Sequence, residues 1–230
     1  MAENALIVGA GKGLSASLAR RLAREGMNVA LAARNIEKLA DLAQETNARR
    51  YACDASDASS VTKLFEGVEA DVGVPDLVVC NVANRYRGPI DELDPAQVRR
   101  SYEITALSAF LVAQRAAKSM LRSGHGSIFF TGATASVKAL PHSVPFSMPK
   151  FAVRGLAQAL ARELAPRNIH VAHFIIDGGI ATSWKTPGEA GPADKWLDPD
   201  AIADTYLQIH RQHRSAWTWE IELRPWTESF

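Results

Sequence analysis

The feature that most constrains how this chain can fold is a short apolar run that passes through a glycine turn straight into a helix. Ala5-Leu6-Ile7-Val8 reads as a buried strand, and Gly9-Ala10-Gly11-Lys12-Gly13-Leu14-Ser15 follows without a spacer. Leu14, Leu18 and Leu22 then recur four apart, one face of a helix that stops at Gly26. A strand that enters a helix through so tight a turn sends the chain back across its sheet, so the next strand lies parallel to the first. The literal G-x-G-x-x-G spacing fails because position 14 is Leu. What fits is G-x-x-x-G-x-G, with Gly9 and Gly13 in place and Ser15 standing for the third glycine. The glycines permit unusual φ angles and a close approach to a pyrophosphate, whose charge meets the positive N-terminus of the helix. The Ser15 hydroxyl is expected to reach a phosphate.

The same alternation continues to the end of the chain. Strands are expected at Ala5–Val8, Asn28–Ala33, Arg49–Cys53, Leu77–Cys80, Ser127–Thr131, His170–Ile176 and Thr218–Leu223. Most are continuous apolar runs, as parallel strands covered on both faces should be. Between them lie helical patterns. One is marked by Ile36, Leu39 and Leu42, and one is capped by Asp57. A long one runs from Pro95 to about Leu121, another from Phe146 to Leu164, and the last from Asp198-Pro199 to about His213. The expectation is one α/β domain over residues 1–230, a doubly wound, Rossmann-like parallel sheet of about seven strands with helices on both faces. The one long loop, Asp177–Leu197, follows a strand's C-terminal end, where a substrate-side loop belongs.

Charge excludes some functions. Lys and Arg number 26 against 25 Asp and Glu, so no basic excess points to nucleic acid. No apolar run approaches the roughly 18 residues of a membrane span, and the early first strand leaves no room for a signal peptide. Cys53 and Cys80 each end a strand and read as small buried hydrophobes, with neither disulfide nor metal spacing. A reducing cytoplasm is the plain expectation.

Several motifs together give the chain a family likeness: the Gly-x-x-x-Gly-x turn, Asp54 after the third strand, the Cys80-Asn81-Val82-Ala83 turn after the fourth, and Lys150 at the head of a late helix. In order and spacing, over essentially the whole chain, it resembles the short-chain dehydrogenase/reductase family. The resemblance implies a nicotinamide cofactor held by Gly9, Gly11, Lys12, Gly13, Leu14 and Ser15 in the turn and by Asp54 and Ala55 at the adenine. It also implies contacts from Asn81, Lys150 and Gly178, and from Thr182 at the nicotinamide amide. Charge selects NADP(H) over NAD(H). The second strand ends Leu31-Ala32-Ala33-Arg34, with no carboxylate for ribose hydroxyls and with Arg34 and Lys12 placed for a 2′-phosphate. No metal is expected.

The resemblance further implies an Asn, Ser, Tyr and Lys that cooperate in proton transfer, and here the pattern breaks. Lys150 is present, but Phe146 stands at the Tyr position, Ala133 at the Ser position and Thr105 at the Asn position. Ser147, Ser136, Thr134, His142 and Tyr86 are the alternative proton-carrying groups. Trp184, Trp196, Phe174 and His142 are candidates to line a substrate pocket.

Two readings follow. One is an NADP-dependent oxidoreductase acting on a small apolar carbonyl or alcohol through a non-standard proton donor. The other is a catalytically impaired NADP(H)-binding sensor or partner subunit. The apolar faces of the Pro95–Leu121 helix (Ile104, Leu107, Phe110) and of the Phe146–Leu164 helix suggest a homodimer or homotetramer, as in related folds.

Overall fold

The computed structural model describes residues 2–181 and 195–228. Seven parallel strands form one sheet in the order β3-β2-β1-β4-β5-β6-β7. They are β1 Asn4–Val8, β2 Asn28–Ala33, β3 Arg49–Ala52, β4 Leu77–Cys80, β5 Gly126–Thr131, β6 Ile169–Ile176 and β7 Glu220–Leu223. Strands β1, β4, β5 and β6 are buried almost throughout, which is why they read as continuous apolar runs, whereas the edge strands β3 and β7 are largely open.

Alternation along each strand divides the core into two layers. Ala5 and Ile7 of β1, Leu77 and Val79 of β4, and Phe129 of β5 pack with helices α1 (Leu14–Arg24), α2 (Ala40–Thr46) and α7 (Pro199–His210). Leu6 and Val8, Val78 and Cys80, and Ile128 and Phe130 face the other way, toward α3 (Ala58–Asp71), α5 (Ser108–Ser123) and α6 (Val144–Leu164). Cys53 and Cys80 are free and buried in that second layer.

The helix starts follow local chemistry. Asp57 accepts from the Ser60 amide at 2.7 Å, Asp94 from Ala96 at 2.9 Å before α4 (Pro95–Tyr102), and Asp198 from Asp200 at 2.8 Å. The expected Pro95–Leu121 helix is continuous but not regular. A π turn at Glu103–Leu107 joins α4 to α5. The Glu103 carbonyl accepts both the amide and, at 3.2 Å, the hydroxyl of Ser108. Such wide turns recur at functional sites. The last helix ends at His210 rather than His213, whose side chain instead caps a 3₁₀ turn at Arg214–Ala216. Among the described residues no helix is long and apolar enough to cross a membrane.

Strand order reverses between β1 and β4, so the helices that follow them leave opposite faces of the sheet. A crevice opens at the C-terminal ends of these two strands.

Candidate active site

The glycine turn forms one wall of that crevice. Gly9 has φ +85°, and a Cβ there would stand 2.6 Å from the Asn81 carbonyl oxygen, so only glycine fits between β1 and β4. The amides of Gly9 and Ala10 both donate to the Ala32 carbonyl at 3.0 Å. Gly11 has no atom within 4 Å of a built Cβ, so its backbone faces open space. Helix α1 begins at Gly13 with no side-chain cap and no acid in its first turn, which leaves its positive end for an anion. Leu14 is buried in the core and can offer a ligand only its backbone. Ser15 differs from expectation: it is buried, donates to the Gly9 carbonyl at 3.3 Å and accepts from Asn81 Nδ2 at 2.7 Å. Its hydroxyl braces the turn instead of reaching outward.

Beyond the turn lies a cavity of about 760 Å³, the size of cofactor and drug pockets. It gathers Gly9, Gly11, Lys12, Arg34, Asp54, Ala55 and Asn81 from β1, β2, β3 and β4 and the turns that follow them. Lys12 and Arg34 are exposed on its rim, and Lys38, which sequence reasoning missed, joins them. Glu37 and Asp41 also line this rim, with Glu37 turned toward Arg50 at 4.0 Å. Asp54 accepts from the Ser56 hydroxyl at 2.6 Å and its amide at 3.0 Å, and Arg100 lies 3.7 Å away. The Ser56 hydroxyl, then its amide and the charges of Arg100 and Arg34, hold the Asp54 carboxyl below its usual range despite partial burial.

At the other end of the crevice Lys150 meets Phe146 and Thr105, three of the four positions to which the resemblance assigns proton transfer. Lys150 of α6 is buried, and its ammonium donates to the Thr131 carbonyl at 2.6 Å. Burial, with the charge of Arg85, lowers its pKa to about 8. Thr105, buried in the π turn, accepts from the Asn84 amide at 3.1 Å. A cavity of about 10 Å³, the room one water needs, lies between Thr105 and Lys150 and shares Val82 and Ser108 with the large cavity. Ala133 follows β5, and its amide donates to Ser136 Oγ at 3.1 Å. The Phe146 ring is buried, with the Lys150 ammonium 6.0 Å from its centroid.

The alternative proton carriers are mostly engaged. Ser136 is fully buried and holds the Ala133 amide, and Ser147 is buried against the Ser143 hydroxyl at 2.9 Å. The Tyr86 hydroxyl accepts from the Asp94 amide at 3.1 Å. His142 is exposed at φ +59°, and its carbonyl takes the Gly88 amide at 3.0 Å. Thr134 is half-buried beside Ala133. Phe174 does not line a pocket: it lies in the core, stacked on Tyr206 with centroids 3.6 Å apart. Gly178, at φ +147°, closes against Pro225, whose Cδ would be 2.8 Å from a Cβ, and it does not reach the large cavity. Thr182 and Trp184 lie outside the described residues, while Trp196 is half-buried at the end of the long loop. Two residues the sequence reading passed over, Arg85 and Arg87, set their guanidiniums 5.7 and 5.6 Å from the Phe146 centroid. The alternation in Asn84-Arg85-Tyr86-Arg87 signals that they share a side, but not that this side faces α6. Among the described residues no group of three or more His, Cys, Asp or Glu is placed to hold a metal ion.

The family model for short chain dehydrogenases matches residues 3–190. D-threitol dehydrogenase of Mycolicibacterium smegmatis is 31% identical over 172 residues, which span 73% of this chain and 66% of that protein. A solved short-chain dehydrogenase from Rhodopseudomonas palustris is 34% identical, with a TM-score of 0.84 covering 97% of this chain and 99% of the other. Gluconate 5-dehydrogenase from Burkholderia cenocepacia, solved with NADP and tartrate, is 25% identical, with a TM-score of 0.84 covering 96% of this chain and 92% of the other. With a match over most of its length and a parallel sheet whose crevice opens at the reversal of strand order, this chain belongs to the short-chain dehydrogenase family of oxidoreductases.

Proposed function

We propose that the chain transfers hydride between NADP(H) and a carbonyl or alcohol substrate, with Lys150 supplying the proton that a tyrosine supplies elsewhere in the family. The observation that carries this reading is the Lys150 ammonium itself. It is buried, anchored on Thr131, and bordered by a water-sized cavity that adjoins the large cleft. With a pKa near 8 it is protonated at neutral pH, yet holds its proton far less tightly than an ordinary lysine, as a general acid should.

The cleft fits the cofactor. Its volume, the exposed Lys12, Arg34 and Lys38 on its rim, the open backbone at Gly11 and the uncapped start of α1 suit a phosphate-rich dinucleotide. When bound, the reduced nicotinamide supplies the hydride. Lys150 holds the proton destined for the substrate oxygen, and Thr105 borders the water-sized space between that ammonium and the cleft. Solvent then reprotonates the lysine. The substrate-side role expected for the 177–197 segment falls largely on residues 182–194, outside the described residues; on either side of them the Ala181 amide donates to the Leu197 carbonyl at 2.8 Å.

The test is fluorescence titration with NADPH, followed by a broad screen of aldehydes, ketones and alcohols. Turnover should appear, and Lys150→Met should lower kcat by ~10² or more. Tight NADPH binding without turnover of any substrate would overturn the reading in favour of a cofactor-binding sensor or partner subunit.

The chain also works as a homo-oligomer on this reading. Tyr102, Leu107, Phe110, Val144, Met148 and Phe151 leave an exposed apolar strip along α4, the π turn, α5 and α6. Such a strip suits a second copy of itself across a two-fold axis. Light scattering that returned a mass near 24.9 kDa at every concentration would exclude it.

A further inference from the structure

Neither Arg85 nor Arg87 lines the cofactor cleft, and beyond the charge that Arg85 exerts on Lys150 the hydride transfer described above gives them no role. They sit in an extended stretch that is pinned at three points. The Asn84 amide donates to Thr105 Oγ1 at 3.1 Å, the Tyr86 hydroxyl accepts from the Asp94 amide at 3.1 Å, and the Gly88 amide donates to the His142 carbonyl at 3.0 Å. Exposure alternates along it, with Asn84 and Tyr86 half-buried and Arg85 and Arg87 open. Both arginines therefore leave the same side of a fixed backbone.

That side is the catalytic end. The two guanidiniums stand 5.7 and 5.6 Å from the centroid of Phe146, and the Lys150 ammonium stands 6.0 Å from it. Three cations thus converge on a ring that has no ionisable group. Asp54 and Glu103 face Arg100, Asp94 caps α4, and Asp91 and Glu92 of the following turn pair with neither arginine. Among the described residues neither arginine has an ion-pair partner. A concentrated positive field with no ion-pair partner among the described residues, at the position where a substrate meets the catalytic lysine, favours an anionic ligand. Guanidinium forks match the paired oxygens of carboxylate and phosphate.

We propose that Arg85 and Arg87 form an anion-recognition wall, so that the substrate is a carbonyl or alcohol compound carrying a carboxylate or a phosphate. The proposal rests on the hydride-transfer reading for its substrate and replaces the apolar substrate expected from sequence. That expectation drew on Trp184, Trp196 and Phe174, of which Phe174 lies in the core and Trp184 outside the described residues.

Two measurements test it. The first compares NADPH-dependent kcat/KM for matched ketones: acetoacetate against methyl acetoacetate, and dihydroxyacetone phosphate against dihydroxyacetone. The charged member of at least one pair should be favoured about tenfold or more, and the favoured pair distinguishes carboxylate from phosphate. In R85Q/R87Q that ratio should fall by about tenfold. The second needs no turnover: calorimetric titration of the NADP-loaded protein with succinate and with inorganic phosphate. At least one anion should bind, and its binding should weaken about tenfold in R85Q/R87Q while NADPH affinity holds. Equal kcat/KM within both pairs, or anion binding indifferent to the two substitutions, overturns the proposal. Anion binding that depends on the arginines in a protein that reduces no ketone leaves the wall standing and removes the hydride-transfer reading instead.

Discussion

The Lys150 ammonium donates to the Thr131 carbonyl at 2.6 Å, and the Thr131 hydroxyl in turn shares a 2.9 Å hydrogen bond with Tyr206. The lysine of α6 is thereby tied, through the end of β5, to a buried tyrosine of α7. Burial first, and the charge of Arg85 second, set its pKa near 8. On the proposed mechanism, ketone reduction needs the protonated ammonium. Its kcat/KM should therefore be level at neutral pH and fall about tenfold per pH unit above about 8. Arg85→Gln removes one of the two causes and should move the falling limb to higher pH. Initial rates across the alkaline range check both statements, and a limb that stays in place would separate Arg85 from the lysine.

Cofactor choice should follow the rim cations. Arg34 and Lys12 stand at the cleft beside Lys38, and β2 ends without a carboxylate that would favour an unphosphorylated ribose. NADPH should bind more tightly than NADH. Arg34→Ala should cost about tenfold in NADPH affinity, the low end for a charge-assisted contact at an exposed site, and leave NADH almost unaffected. Fluorescence titration of both cofactors on both proteins measures this; equal affinity of the native chain for the two would refute it.

Restoring the missing hydroxyls should strengthen reduction. Phe146→Tyr would set a phenol among Arg85, Arg87 and Lys150, whose charges favour its ionised form and so bring its pKa down. Ala133→Ser adds a donor where the Ala133 amide is already held by Ser136. The double variant should gain about tenfold or more in kcat for ketone reduction, with NADPH affinity unchanged. A hydroxyl left unpaired under the arginines would lower the melting temperature by roughly 2–12 °C.

Acid should loosen the far side of the sheet. His173 of β6 is fully buried, with Nδ1 3.0 Å from Glu220 of β7, which also accepts two bonds from Arg154 of α6 at 2.7 and 2.8 Å. Burial outweighs Glu220 and depresses the His173 pKa to about 4, below its unfolded value. A histidine kept neutral in the fold contributes full stability above about pH 6.5, and this is lost as pH falls through about 4. The shift corresponds to at most ~3 kcal/mol. Buried His170 and half-buried His210 are shifted in the same direction. Urea unfolding at stepped pH should show the decline, and His173→Gln should flatten part of it.

The strands were legible because a parallel strand covered on both faces has to be apolar at every position, as in Ala5–Val8 and Leu77–Cys80. Helix starts were legible from Asp57 and Asp198, whose capping bonds span only two or three residues. The π turn was not. It depends on Ser108 bonding back to Glu103, a choice that helical periodicity leaves open. Phe174 was misread because an apolar residue near a strand's end can serve either the core or a pocket, and only its stacking on Tyr206 decides.

By itself the sequence determined the alternating strand–helix order, the place of the glycine turn between the first strand and helix, and a phenylalanine at position 146, where the family resemblance implies a tyrosine. Each of these is a matter of local sterics, burial period or side-chain identity. The tertiary structure alone decided what surrounds Phe146. Arg85 and Arg87 follow β4, Phe146 and Lys150 begin α6, and Thr131 ends β5. These segments are distant in the chain and meet only because the parallel sheet brings its C-terminal ends together. The field on a side chain, and with it the Lys150 pKa, sums over neighbours in space, which no reading along the chain can supply.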